Sequence, residues 1–369
     1  MRTTSKEPLI LLLVSFILAG CTKPPDLIGI DNPKVPVASV AGAPEHKIYI
    51  ATSRSASVVE GEFYSDQRSE ELGLAVVTVS VPPNREPGTI ERPMRLPPDA
   101  HREFAIVNPK RFAGGRDFVQ SLNAELSSRA VGNQDILLFV HGFNNTLTDS
   151  VLRVAQFVED SGFEGVPVVF SWASAARVSR YAYDLNSVLA ARPKLEETSS
   201  YLIQSNATGF DVFAHSMGTM LVTEVMVQAD LQGSLNSTGK LQTVTFAAPD
   251  IDVDVFRSQL GQIDELPVSP YVLISSDDRA LKFSRRVAGG VDRVGAADVS
   301  ELEGLGLTVI DLSDIDDSNS GSHSKFAGSP EVVQLVGRTL SVHGYSDSHR
   351  AILGDALTIV PDTIEIFRP

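Results

Sequence analysis

The chain has almost no cysteine, one residue among 369, Cys21. No intramolecular disulfide can form, and zinc sites built from cysteine thiolates are excluded. Tryptophan is as scarce, with Trp172 alone. Basic residues are outnumbered 46 to 31, which gives a net charge of −15. That balance argues against nucleic acid as a partner and against electrostatic adsorption to anionic lipid. Beyond the amino terminus no apolar run is long enough to span a bilayer, and no internal repeat is visible. No glycine-rich loop points to a nucleotide, and no Cys/His ligand spacing points to a metal. The expectation is therefore no cofactor and no metal. What the chain does have is 43% hydrophobic residues, enough for a large core that stands on packing alone.

Arg2 and Lys6 precede an apolar run over 9–19, too short for a comfortable membrane span. The run ends in Leu18-Ala19-Gly20-Cys21, which resembles the bacterial lipobox. The resemblance implies a signal peptide over 1–20, cleavage before Cys21, and a lipid on that cysteine that anchors the protein to the membrane. Thr22, where inner-membrane retention would call for Asp, implies the outer membrane facing the periplasm. Residues 21–44 carry Pro24, Pro25, Pro33, Pro36 and Pro44 and read as a tether. Residues 45–130 read as a β-rich extension, 131–345 as the core, and 346–369 as a tail that cannot be placed.

In the extension, strands are expected over 47–53, 74–81 and 104–107, and a helix over 118–129. From residue 135 strands alternate with helices. Strands fall over 136–140, 166–170, 211–214, 241–246, 271–275 and 307–311. Helices fall over 149–160, 195–206, 217–230, 253–260 and 330–340. Alternation of this kind predicts a mostly parallel, doubly wound sheet with helices on both faces. Ligands in such sheets bind beyond the carboxyl ends of the strands. Residues 177–192 read as a small lid or a solvated excursion.

Phe210-Asp211-Val212-Phe213-Ala214-His215-Ser216-Met217-Gly218 is an apolar strand that runs through a serine into a helix. A sharp strand-to-helix turn lifts a serine hydroxyl out of the sheet and aims the helix amino terminus at a developing oxyanion. Such a turn needs small residues two positions either side of the serine. Gly218 supplies one, and Ala214 stands where glycine is usual. A second apolar strand, residues 136–140, ends in His141-Gly142-Phe143. The amides of Phe143 and Met217 are the candidate oxyanion donors. Ser216 needs a base. Of seven histidines, His323 follows the last core strand, where a base belongs, and His343 and His349 are fallbacks in the tail. The acid should follow a strand. Asp278 is the first choice and Asp277 the second, with Asp250 and Asp252 as further alternatives. His141, His215 and Trp172 are candidates for the substrate pocket. The Asp-rich run from Asp311 to Asn319 lacks the Gly and Glu of a calcium loop and reads as solvated.

The blocks FVHGFNN, VFSWAS, FAHSMG, AAPDID, SSDDRAL and GSHS occur in this order. Together they resemble an uncharacterised bacterial α/β-hydrolase family of the esterase/lipase superfamily, from about residue 46 to about residue 340. The resemblance implies Ser216 as nucleophile, Asp278 as acid and His323 as base, acting on a small-molecule or lipid ester through an acyl-enzyme. Two other classes fit the same residues: a non-catalytic envelope binding protein on a hydrolase scaffold, and an acyltransferase with an alcohol acceptor in place of water. Acyl length and oligomeric state leave no mark in the sequence.

Overall fold

The computed structural model describes residues 26, 28–315, 322–340 and 364–368. The leader, Cys21, His343, His349 and most of the tail lie outside the described residues.

Among the described residues, one sheet takes β1 (Glu45–Ala56), β2 (Tyr64–Ser80), β3 (Ala105–Arg111), β4 (Ile136–Val140), β5 (Val166–Ser171), β6 (Phe210–His215), β7 (Leu241–Ala247), β8 (Tyr271–Ile274), β9 (Thr308–Asp311) and β10 (Glu365–Phe367). Their spatial order is β10-β9-β8-β7-β6-β4-β5-β1-β2-β3. From β1 to β9 every neighbouring pair is parallel. Antiparallel pairing adds β2 and β3 at one edge and β10 at the other. The helices are α1 (Gly115–Ser128), α2 (Leu147–Ser161), α3 (Tyr181–Gln204), α4 (Gly218–Leu231), α5 (Val253–Leu260), α6 (Arg279–Val287), α7 (Lys325–Gly328) and α8 (Pro330–Leu340).

The period-two rule of a strand sorts β4 between two cores. Ile136, Leu138 and Val140 pack with Phe118, Val188, Leu221 and Phe256, from α1, α3, α4 and α5. Leu137 and Phe139 face the other way, toward Val151, Phe157, Val333 and Val336, from α2 and α8. Both faces are covered, so the central strands are apolar throughout. From β4 the chain crosses to β5 on one side and then to β6 on the other. The strand order reverses between β4 and β6, and a crevice for ligands opens at such a point.

Three segments depart from expectation. Residues 28–44 are no free tether: Ile28, Val37 and Val40 are buried, and the amides of Ile28 and Gly29 bond Gly61 and Ile106. Three apolar side chains spaced among prolines are enough to pin the segment. Residues 177–192 form a 3-10 turn and the first half of α3, a single helix that runs through Pro193. Its inward residues include Asp184, Ser187, Ala191 and Thr198, too small and polar to read as an apolar stripe. The carboxylate of buried Asp184 accepts from the Ser174 hydroxyl at 2.5 Å and the Ala175 amide at 2.8 Å. The third is α6, a helix with only Leu281 and Ser284 buried.

Candidate active site

β6 ends at His215, and α4 begins at Gly218. Ser216, between them, has φ of +53°, a left-handed conformation that L-residues rarely adopt. Strain held in this way at a turn is a mark of functional sites. The Ser216 amide bonds the Ala247 carbonyl at 2.9 Å, which ties the turn to β7. Two glycines let β4 approach it. A Cβ on Gly142 would lie 2.6 Å from the Ser216 Cβ, and one on Gly218 would lie 2.6 Å from the His141 carbonyl oxygen. Ala214 pairs with Val140 and is fully buried, so its methyl is accommodated in the core.

The structure brings together three of the residues singled out. The Ser216 hydroxyl lies 3.0 Å from His323 Nε2. His323 Nδ1 lies 2.7 Å from Asp278 Oδ2. The other oxygen of Asp278 accepts the Leu281 amide at 3.0 Å and caps α6, so one carboxylate serves ring and helix alike. Ser216 and Asp278 are buried, and of the three only His323 keeps an exposed face, 19% of its side chain. Phe143 and Met217 follow the ends of β4 and β6 at the order reversal. Among the described residues, neither of their amides donates to a protein acceptor.

The alternative acids have other partners. Asp252 caps α5 through the amides of Asp254 and Val255. Asp250 is buried with Tyr181, Ser284 and Arg293, its Oδ2 accepting from the Tyr181 hydroxyl at 3.2 Å. Burial pushes its carboxyl up, against the pull of the Ser284 hydroxyl and the Arg293 cation. Asp277 accepts from Lys325 Nζ at 2.9 Å, from Ser322 Oγ at 2.6 Å and from Ser275. Partial burial alone would raise it, but these three donors outweigh that and hold it down to about 2.

The pocket candidates His141, His215 and Trp172 are buried. Trp172 is fully buried, stacks on His141 with ring centroids 4.9 Å apart, and donates from Nε1 to the His141 carbonyl at 2.7 Å. His141 Nδ1 faces the Gly142 carbonyl at 2.8 Å and its Nε2 faces Ser171 Oγ at 3.1 Å. Burial and the Arg54 cation push His141 down to about 3, so the ring is neutral. This second Ser–His pair has no carboxylate on Nδ1, and Ser171 is sealed from solvent. Both are bracing contacts. His215 is held well below the usual imidazole range by burial and by the neighbouring His323 ring. Its Nε2–H donates to the His323 carbonyl at 3.1 Å, a grip on that loop that the sequence did not signal. Among the described residues no group of three or more His, Cys, Asp or Glu could hold a metal ion.

A strained serine at the order reversal of a parallel sheet, facing a glycine loop on the neighbouring strand, defines an α/β-hydrolase. The profile of one family, described as alpha/beta hydrolase of unknown function (DUF900), matches residues 116–339. The chain belongs to that family. No curated protein matches it. Similar solved structures include phospholipase PlaB from Legionella pneumophila in complex with thio-NAD, at 15% identity and TM-score 0.38, covering 63% of this chain and 67% of that one. A hyperthermophilic esterase from the archaeon Pyrobaculum calidifontis is 10% identical with TM-score 0.38, over 92% of this chain and 98% of that one. A predicted CIB-like hydrolase from Thermoplasma acidophilum is 16% identical with TM-score 0.31, over 57% and 87%.

Proposed function

We propose that the chain is a serine hydrolase of carboxylic esters. Ser216 Oγ attacks the ester carbonyl carbon and passes its proton to His323 Nε2. Asp278 holds the Nδ1–H tautomer and stabilises the imidazolium as it forms. The amides of Phe143 and Met217 receive the oxyanion, and removing one such donor typically costs ~3 kcal/mol of barrier. The carbon–oxygen bond to the alcohol breaks, and the alcohol leaves with the proton from Nε2. Water then gives a proton to His323, attacks the acyl-enzyme and frees the acid, and the proton returns to Ser216.

The reading rests on one observation, the unbroken hydrogen-bonded line from Asp278 through His323 to Ser216, at 2.7 and 3.0 Å. The left-handed backbone at Ser216 supports it independently. A fluorophosphonate probe tests it. The protein is expected to be labelled and to hydrolyse p-nitrophenyl esters, and Ser216→Ala to do neither. Unlabelled protein, or equal labelling of the variant, rejects the reading. Graded acyl lengths then give the substrate class.

The same proposal puts the enzyme in the bacterial envelope, anchored by lipid on Cys21, on the strength of Leu18-Ala19-Gly20-Cys21 alone. Incorporation of a palmitate analogue that survives Cys21→Ser refutes the anchor.

A further inference from the structure

Helix α6 begins at the residue after Asp278 and has two unlike faces. Leu281 and Ser284 point inward and are buried. The Ser284 hydroxyl lies 2.7 Å from the Tyr181 hydroxyl, and the Tyr181 ring packs edge-on to Phe143 at 5.1 Å. The helix is therefore fixed to both the acid and the glycine loop of the candidate site. Its outer face carries Phe283, 42% exposed, and Val287, 53% exposed. Residues 279–291 hold four basic side chains and no acidic one, in a chain of net charge −15. Arg285 pairs with Asp292 at 2.8 Å. Among the described residues Arg279, Lys282 and Arg286 form no ion pair. Phe283 and Val287 lie four residues apart, as do Lys282 and Arg286, so an apolar pair lies beside a cationic one, with Arg279 one turn before Phe283. The 3-10 turn before Tyr181, adjacent through the Tyr181–Ser284 contact, repeats the pattern: Val178 is 53% exposed between Arg177 and Arg180.

A lone exposed valine or lysine means nothing. The combination on one rigid face does, because each part needs a different environment. The apolar tips gain by leaving water, and the cations gain next to fixed negative charge. An anionic lipid surface offers both within one interface, acyl boundary below and headgroup phosphates above. A nucleic acid offers phosphates but no apolar layer. The chain's overall negative charge does not forbid the contact. At physiological salt, charges more than about 8 Å away are largely screened, so the local face decides.

We propose that α6 docks the protein on an anionic phospholipid surface. Phe283 and Val287 enter the interface, and Arg279, Lys282 and Arg286 meet the headgroup phosphates. The docked face adjoins the rim that holds Ser216. Docking itself does not depend on the hydrolase reading; that it serves substrate capture rests on that reading.

The test uses the full chain with Cys21→Ser, so that no acyl anchor is added, and Ser216→Ala, so that vesicles stay intact. Binding is measured by sedimentation with phosphatidylcholine vesicles and with vesicles containing phosphatidylglycerol. The leader contributes to both, so the ratio is the readout. Binding to the anionic vesicles is expected to be roughly tenfold tighter or more, and Lys282→Glu/Arg286→Glu to abolish that preference. Phe283→Ser/Val287→Ser is expected to weaken anionic binding several-fold and leave its salt dependence unchanged. All four positions are exposed, so near-UV circular dichroism should be unaltered. Equal binding to the two vesicle types, or an undiminished preference after charge reversal, overturns the proposal. So does soluble polyphosphate binding lost on charge reversal while vesicle binding ignores the apolar pair, which would mark a polyanion site. Since binding is read on Ser216→Ala, a failure here leaves the labelling test standing, and the reverse also holds.

Discussion

Replacing Arg54 by Met tests whether the glycine loop is held from outside the family-matched segment. Arg54 lies on β1 and is 2% exposed. Its Nε donates to Ser171 Oγ at 2.9 Å, one terminal nitrogen to the Ser174 carbonyl at 3.1 Å and the Ser65 carbonyl at 3.3 Å, and the other to the Asn145 carbonyl at 2.8 Å. Asn145 in turn donates from Nδ2 to the carbonyls of Phe143, at 2.8 Å, and Gly142, at 3.1 Å. Ser171 donates onward to neutral His141, whose Nδ1–H reaches Gly142, so Arg54 supports the Phe143 amide by two routes. Burial lowers the guanidinium to about 10, and it stays charged at neutral pH.

Methionine keeps an unbranched stem that reaches about as far as the arginine Nε, and it has none of the donors. The buried Ser174 carbonyl loses its donor, at about 1–3 kcal/mol, and the part-buried Asn145 carbonyl loses its own at less. Loss of a buried charge relieves its desolvation and offsets part of this, so about 2 kcal/mol of net destabilisation is expected. Catalysis should suffer separately: a loosened oxyanion amide removes up to ~3 kcal/mol, or ~10²-fold in kcat, with KM within about twofold. Urea melts give the first quantity and turnover of a soluble p-nitrophenyl ester the second. Val158→Ala, in the opposite core, is the control for stability loss alone. If Arg54→Met and Val158→Ala lose the same fraction of kcat at equal occupancy of the folded state, the bracing argument fails.

Two further outcomes follow from the same geometry. Gly142→Ala would set a Cβ 2.6 Å from the Ser216 Cβ and 3.0 Å from the His215 carbonyl, neither of them the end of a flexible side chain. Probe labelling and turnover should fall together by ~10²-fold, and a variant of full activity contradicts the close approach. Asp211, fully buried on β6, is raised to about 7 by burial, against the Thr243 hydroxyl and with help from Asp135. Its folded value lies above its unfolded one, so its stability contribution is complete at acid pH and is lost as pH rises to about 7. Asp211→Asn should therefore gain on the parent by roughly 2–3 kcal/mol between about pH 5 and about pH 8, and a difference that does not change with pH in chemical melts refutes this.

The parts of the fold that could be read from the sequence are those in which local pattern and tertiary role coincide. β4 and β6 are apolar throughout because both faces are covered, and the expected bounds of α5 and α8 agree with those observed. The serine turn could be read because its requirements fall within five consecutive residues. Arg54 could not, since a basic residue in a strand gives no sign that two loops and a neighbouring strand will close over its head. α6 was missed because two buried residues in nine leave no apolar period. The residues that carry the proposed docking lie on its outward face, outside the core pattern. The first half of α3 was hidden by Pro193 and by an inward face of Asp, Ser and Ala.

Asp277 and Asp278 are almost equivalent candidates in the sequence, and their division of labour shows how His323 is held. Consecutive residues point to opposite sides of the chain. Asp278, fully buried, takes the His323 ring; Asp277, half-exposed, takes Ser322 and the buried ammonium of Lys325, on either side of that histidine. Lys325 also donates to the carbonyls of Leu312, at 2.8 Å, and Ser313, at 3.1 Å. The segment 322–325 is thus clamped to the loops after β8 and β9, which holds His323 against Asp278. That clamp sets the distance to Asp278 but not the distance to Ser216. The second distance has its own restraint, the bond from His215 to the His323 carbonyl, supplied by the residue before the serine. Asp277 and His215, the residues before Asp278 and Ser216, therefore each hold the His323 loop from its own side, so the line Asp278–His323–Ser216 is fixed at both ends. A protonated His215 would break this arrangement. It would set a second cation against the imidazolium of the proposed mechanism, and burial holds the His215 ring well below the usual imidazole range.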